Sequence, residues 1–297
     1  MRYLIVLALL LSGLLNAGQT DPYKKAASLI AEKKYTEAFS ALNELIGKSK
    51  EDLKAYDLGD ENLRVAESYY YQILKEVPND LNAKMDLAIC SYHLGHTEKA
   101  RMIFEDVYKK NPQMKKLNYY LGNIAFFEKN ELERARAYLK KELELNTKDA
   151  DALFVLGLSY EYNSNGERRA SSSGVDEAIK YYEQSLKIDP ESPGALFNLA
   201  IAYSVKKDQD NAVQTAERLL KVQNAKGLYM STHYNLACFY SLKKEPKKAV
   251  ENLKKAIENG FEDFDHMQKD SDLTNIRDDK EFKELVNKYV PKRTKLD

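Results

Sequence analysis

Residues 181–190 read YYEQSLKIDP. Ala178 just ahead of them and Tyr182 within them share one face at helical spacing, and Pro190 ends the helix because proline has no N–H to continue the ladder. A Leu199-Ala200 pair follows, with Tyr203 on the same apolar stripe, so a new helix opens directly after the stop. The stretch predicts two helices joined by a short turn, and this unit recurs along the chain.

A Leu followed by Gly or Ala occurs as Leu87-Ala88, Leu121-Gly122, Leu156-Gly157, Leu199-Ala200 and Leu236-Ala237, at successive spacings of 34, 35, 43 and 37. A second series, Ala100, Ala135, Ala178, Ala212 and Ala249, opens the following helix 12 to 21 residues after each small residue. Periods near 34 residues indicate stacked helical hairpins. The small residues belong where two helices cross closely and a larger side chain would overpack the contact. Tyr203 and Tyr240 after the first series, and Phe104 and Tyr182 after the second, fill the groove beside them. Each such burial contributes about 1.5–3 kcal/mol. Pro78, Pro112 and Pro190 each follow a second helix. The longest interval contains NSNGERRASSSG at 163–174, which has no apolar period and is expected to be a solvated loop inserted in a hairpin.

This order of Leu-Gly/Ala, aromatic, turn, Ala, aromatic and Pro resembles the tetratricopeptide repeat over nearly all of the chain after its apolar start. The resemblance implies an all-α fold, a right-handed α-solenoid of stacked hairpins whose inner face is lined mainly by first helices. Five repeats are expected within 81–263. Two degenerate hairpins are expected within 18–80, where YTEAFSALNEL at 35–45 and VAESYYYQILKEVPND at 65–80 resemble second helices but place Ala38 and Ala66 only 28 residues apart. Residues 264–297 are expected to cap the array. Together with the residues just ahead of them they are similar to the closing segment of many bacterial arrays in Gly260, Phe261, Asp270, Asp272, Leu273, Arg277, Asp278 and Phe282. Without a capping helix carrying Phe282, Leu285 and Val286, the last hairpin would expose an apolar face.

The first residues, MRYLIVLALLLSGLLNAGQT, place one Arg before an apolar run and small residues after it, the layout of a secretory signal within 1–17. Cleavage is expected near Ala17, which makes the protein exported, periplasmic or secreted, and membrane-bound only if the segment is retained. Cys90 and Cys238 lie four repeats apart, so two buried free thiols are expected and no disulfide.

Composition fits this reading and removes others. Hydrophobic residues make up 43% and charged residues 31%, which suits a packed core rather than a disordered chain. Lys plus Arg and Asp plus Glu both total 46, so no net field recruits nucleic acid. Basic pairs such as Lys109-Lys110 and Lys247-Lys248 sit among acids on solvated faces. His93, His96, His233 and His266 are scattered, and His93 and His96 straddle a predicted hairpin turn without a Cys or third His beside them. No phosphate loop, nucleophile elbow or zinc-protease motif occurs. A non-enzymatic chain without cofactor or metal, holding a protein or peptide partner, is therefore expected.

If the geometry of the family holds, residues one turn either side of each Leu-small pair face the concave groove. They are Tyr119, Asn123, Phe126, Phe127, Phe154, Leu158, Tyr162, Phe197, Asn198, Ile201, Tyr234 and Asn235. The strip is apolar and aromatic, with asparagines able to bond a peptide backbone. Some family members clamp acidic chaperone tails with Lys and Arg on successive first helices. The corresponding places here include Tyr119, Val155 and Gly194, so the resemblance does not extend to that clamp.

Overall fold

The computed structural model describes residues 59–128, 131–162 and 174–289, with isolated positions between 25 and 41. The signal-like start, most of the inserted loop and residues 290–297 lie outside the described residues. The chain divides into two units, residues 1–111 and 112–297.

In the first unit α1 (Gly59–Glu76) packs on a hairpin of α2 (Leu81–His93) and α3 (Thr97–Lys110). The α2 helix starts where Asp80 accepts hydrogen bonds from Asn82 N at 2.9 Å and Ala83 N at 3.0 Å, satisfying two donors that the helix itself leaves open. Leu63, Tyr69, Tyr70 and Ile73 of α1 form the core with Ala83, Leu87 and Cys90 of α2. Ala38 and Ala66, the anchors of the irregular upstream repeats, are both buried. His93 closes α2 and His96 caps α3, the helix-end positions expected for this pair.

The second unit is a run of hairpins: α4 (Leu117–Phe126) with α5 (Leu132–Leu145), α6 (Ala150–Glu161) with α7 (Val175–Ile188), α8 (Pro193–Val205) with α9 (Gln209–Leu219), and α10 (Tyr229–Leu242) with α11 (Pro246–Glu258). Each hairpin stacks on the next, so the fold is an all-α solenoid. Its closing segment is α12 (Phe264–Lys269), a 3-10 turn Ser271–Ile276 and α13 (Lys280–Tyr289). Phe282, Leu285 and Val286 of α13 are buried with Leu253, Met267, Leu273 and Ile276, so the segment covers the apolar face of the last hairpin.

The small residues act within each hairpin. A Cβ on Gly122 would lie 2.8 Å from Cγ of Leu139, and one on Gly157 would lie 2.7 Å from the ring of Tyr182. Both distances are below van der Waals contact, so first and second helices approach as closely as they do only because no side chain intervenes. The 37-residue interval is explained by a 3-10 turn, Gln223–Leu228, set between α9 and α10. Cys90 and Cys238 are buried free thiols.

Three hairpin turns share one closure. Gly95, Lys207 and Lys244 have φ of 77°, 62° and 60°, and the next residues, His96, Asp208 and Glu245, each donate back to the carbonyl five residues earlier. This is a left-handed helix cap that favours glycine, yet two of the three positions carry an exposed lysine. An L-residue there costs about 1–2 kcal/mol, partly offset by the larger chain entropy that glycine loses on folding. Lys207→Gly and Lys244→Gly are each expected to stabilise the protein by about 0.5–1 kcal/mol, read as a rise in the urea midpoint.

Candidate partner-binding face

The first helices of the second unit lie side by side, and the residues one turn from each Leu-small pair fall into groups with different surroundings. Phe126, at the end of α4, meets the ring of Tyr162 edge-on at 5.4 Å and that of Phe127 at 5.1 Å. Phe127 is 77% exposed, while Phe126 and Tyr162 are half-buried. These three rings, from the ends of two successive first helices, form an aromatic patch in which Phe127 is open to solvent and Phe126 also packs on the core around Leu139 and Leu156. Tyr119 is half-buried about two turns back, edge-on to Tyr120 at 5.1 Å and with the Lys116 ammonium 4.7 Å from its ring centre. Asn123 is half-buried between them along the same helix.

Other predicted residues are occupied by the fold itself. The Phe154 ring tilts against Tyr182 at 5.8 Å, and a Cβ on Gly194 of α8 would lie 3.0 Å from its Cζ, so Phe154 packs one hairpin onto the next. Leu158 and Phe197 join the core around Leu196 and Leu199. Asn198 donates to the Gly194 carbonyl at 2.9 Å, a bond along its own helix. Ile201 and Asn235 are half-buried. Tyr234 retains 9% of its exposure, stacks on Phe261 at 4.6 Å and on His266 at 5.7 Å, and thus lies beneath the closing segment.

Tyr234 also donates to Asp270 Oδ2 at 2.7 Å, and this carboxylate is a hub. The Cys238 thiol approaches the same oxygen at 3.7 Å, His266 Nε2 lies 3.5 Å from it, and Asp270 Oδ1 accepts from Asp272 N at 2.9 Å. Burial first, then the Asp270 and Asp272 carboxylates, push the Cys238 thiol up, so it stays protonated and is a poor nucleophile. Burial and the bond to Asp270 likewise push the Tyr234 phenol up. Cys238, Asp270 and Asp272 bring three donor atoms within 4.8 Å of one another, the one such group among the described residues. Hydrogen bonds already engage both oxygens of Asp270, Oδ2 fastening the closing segment to α10 and Oδ1 capping its 3-10 turn. Sequence reading assigned Cys238 only a packing role, because Asp270 lies 32 residues away along the chain.

A second polar junction was also hidden in the sequence. Arg136 of α5, 8% exposed, donates through Nε to Ser159 Oγ at 3.2 Å and through Nη2 to the Ser159 carbonyl, with its guanidinium 4.5 Å from the Tyr160 ring centre. It ties α5 to the end of α6, just ahead of Tyr162. In the first unit Glu67 plays a similar part, accepting from Ser91 Oγ and Lys99 Nζ, each at 2.6 Å. Burial pushes the Glu67 carboxyl up, but these two bonds outweigh it and hold it below its ordinary value. No helix among the described residues is long and apolar enough to cross a membrane.

Comparison with known proteins gives three matches to family models described as tetratricopeptide repeat, at residues 94–152, 181–214 and 231–259. Among solved structures, MamA AMB-1 is similar with a TM-score of 0.50 at 20% identity, over 59% of this chain and 96% of that one. A further MamA crystal structure has 27% identity and a TM-score of 0.45, over 56% of this chain and 92% of that one. TTC0263, a thermophilic TPR protein in Thermus thermophilus, has 19% identity and a TM-score of 0.46, over 62% of this chain and 94% of that one. The MamA AMB-1 likeness is one of fold.

Asp270→Ala removes the acceptor for the Tyr234 hydroxyl and Asp272 N at once. A loss of about 1–3 kcal/mol is expected, read as faster amide exchange across 264–289 than across α4 to α7.

Proposed function

We propose, from the premise that this chain is a tetratricopeptide-repeat protein, that it is a non-enzymatic scaffold whose first-helix face holds a peptide or an amphipathic helix of a protein partner. The observation that carries this reading is the aromatic patch of Phe126, Phe127 and Tyr162. A phenylalanine 77% exposed beside two further rings offers a desolvation gain to a partner without any rearrangement of the core. Asn123 on the same helix suits a backbone-reading role. The working place we assign is the bacterial cell envelope, periplasmic or secreted, on the strength of the apolar start at residues 3–15.

Phe127 is the cleaner probe of the face, because Phe154 packs hairpin on hairpin and its truncation would disturb the stack. Phe127→Ala is expected to weaken partner capture from envelope extracts at least about tenfold while changing stability by less than about 0.5 kcal/mol. Unchanged recovery of the same proteins would overturn the assignment of the face.

The same apolar start supports a second reading, a membrane-tethered assembly factor that keeps its N-terminal segment. Mass measurement of the protein isolated from cells separates the two. The export reading expects a new N-terminus close to Ala17, and an intact Met1 would replace it with the tethered form.

A further inference from the structure

Seven residues beyond the recurring Ala of each second helix stand Val107, Glu142, Ser185, Leu219 and Ala256, and all five are buried. Four are small or apolar. The fifth is a carboxylic acid with no measurable exposure. Glu142 Oε1 accepts from Lys116 N at 3.0 Å, at the start of α4, whereas Oε2 is sealed from solvent without a donor. Asp149, which caps α6 and is 2% exposed, repeats the pattern. Its Oδ1 accepts from Ala152 N at 3.1 Å and Lys116 Nζ at 2.8 Å, and its Oδ2 is sealed without a donor. Asn118, fully buried, donates to the Pro112 carbonyl at 2.9 Å and leaves its own oxygen unpaired.

Three sealed acceptor oxygens therefore surround a junction that holds one cation. The charged groups facing Glu142 are Lys116 from α4, with Asp149 and Asp151 from the start of α6, Asp151 lying 3.0 Å from the Lys116 ammonium. Three carboxylates against one ammonium leave excess negative charge, with Glu142 and Asp149 closed to water while Asp151 is exposed and the Lys116 side chain is partly so. A proton on Glu142 removes one anion and converts an orphan acceptor into a donor.

We propose that Glu142 is the proton-binding element of a pH-responsive latch that fastens the α4–α5 hairpin to the α6–α7 hairpin through Lys116 and Asp149. Protonated, Glu142 leaves the ammonium to Asp149 and Asp151, and the junction is closed. Ionised, it competes with Asp149 for the same cation and loosens the contact. Burial first, and then the Asp149 charge, raise the Glu142 carboxyl above its ordinary value, against the N–H groups of Lys116 and Tyr119 and the Lys116 ammonium, which pull it down. Lys116 also lies over Tyr119, so the latch would pass its state to the first-helix face. That consequence rests on the partner-binding reading, and the latch itself does not.

The sign follows from linkage. A carboxyl raised in the fold contributes stability fully present below its unfolded value and lost as pH rises through the folded one. Glu142→Gln keeps the acceptor for Lys116 N and supplies a permanent N–H donor without the titration. The gap in Tm between this variant and the native chain is expected to be near zero at about pH 4.5 and to widen by at least about 2 °C by about pH 8. In an Asp149→Asn background the widening should shrink. A gap that stays flat with pH, or widens equally with and without the Asp149 charge, overturns the latch. Titration of the Glu142 carboxyl by carbon NMR in the unaltered chain tests it independently of any variant: a midpoint above 4.5 is expected, and one at or below that value overturns it.

Discussion

The close crossing of the first and second helix within each hairpin is the constraint on which the rest depends. At Gly122 and Gly157 the opposing side chains, Leu139 and Tyr182, occupy the space a Cβ would need. With the helices this close, the large residues on either side meet as a continuous apolar seam. That seam gives each hairpin two flat faces rather than one. Stacking then becomes the way those faces leave water, and a closing helix is required wherever stacking stops.

Burying faces does not by itself fix how far one hairpin rotates on the next. Directional contacts add that information. Arg136 grips the Ser159 carbonyl of the following hairpin and Asp270 gathers Tyr234, Cys238 and Asp272 N, while inside one hairpin Tyr182 donates to Glu161 at 2.7 Å and Ser185 Oγ to the Ala150 carbonyl at 2.8 Å. Each joins elements already in apolar contact, and the Ser159 carbonyl and Asp272 N–H stand at helix ends, where such groups lack internal partners. Their net stabilisation is modest, since burying the groups costs much of what the bonds return. Their effect is to penalise every rotation that leaves one of them unpaired.

This division explains what was legible in the sequence. The Leu-small pairs and the second-helix alanines stand at a near-constant period because the crossing tolerates only small residues, so sterics write them directly into the chain. The departures were legible as intervals but not as shapes. The spacing of 37 announced extra residues before Leu236, and only the fold shows them as the 3-10 turn Gln223–Leu228. The polar junctions were illegible for a different reason. Glu142 reads as one more solvent-facing glutamate within KKELELN, and its burial depends on Lys116, 26 residues earlier, and on the start of the next hairpin.

The candidate face shows the same limit from another side. Helical spacing assigns Phe126, Phe127, Phe154 and Tyr234 to one stripe, because a period reports direction around a helix and not what stands opposite. Opposite Phe154 is the backbone of Gly194, opposite Tyr234 is the closing segment, and opposite Phe127 is water. A solenoid spends most of its inward rings on holding its own repeats together. The rings left exposed are those at helix ends, where the neighbouring hairpin no longer covers them. On the proposed reading, affinity is set by the few positions the stack can do without, and these are free to vary without cost to the fold.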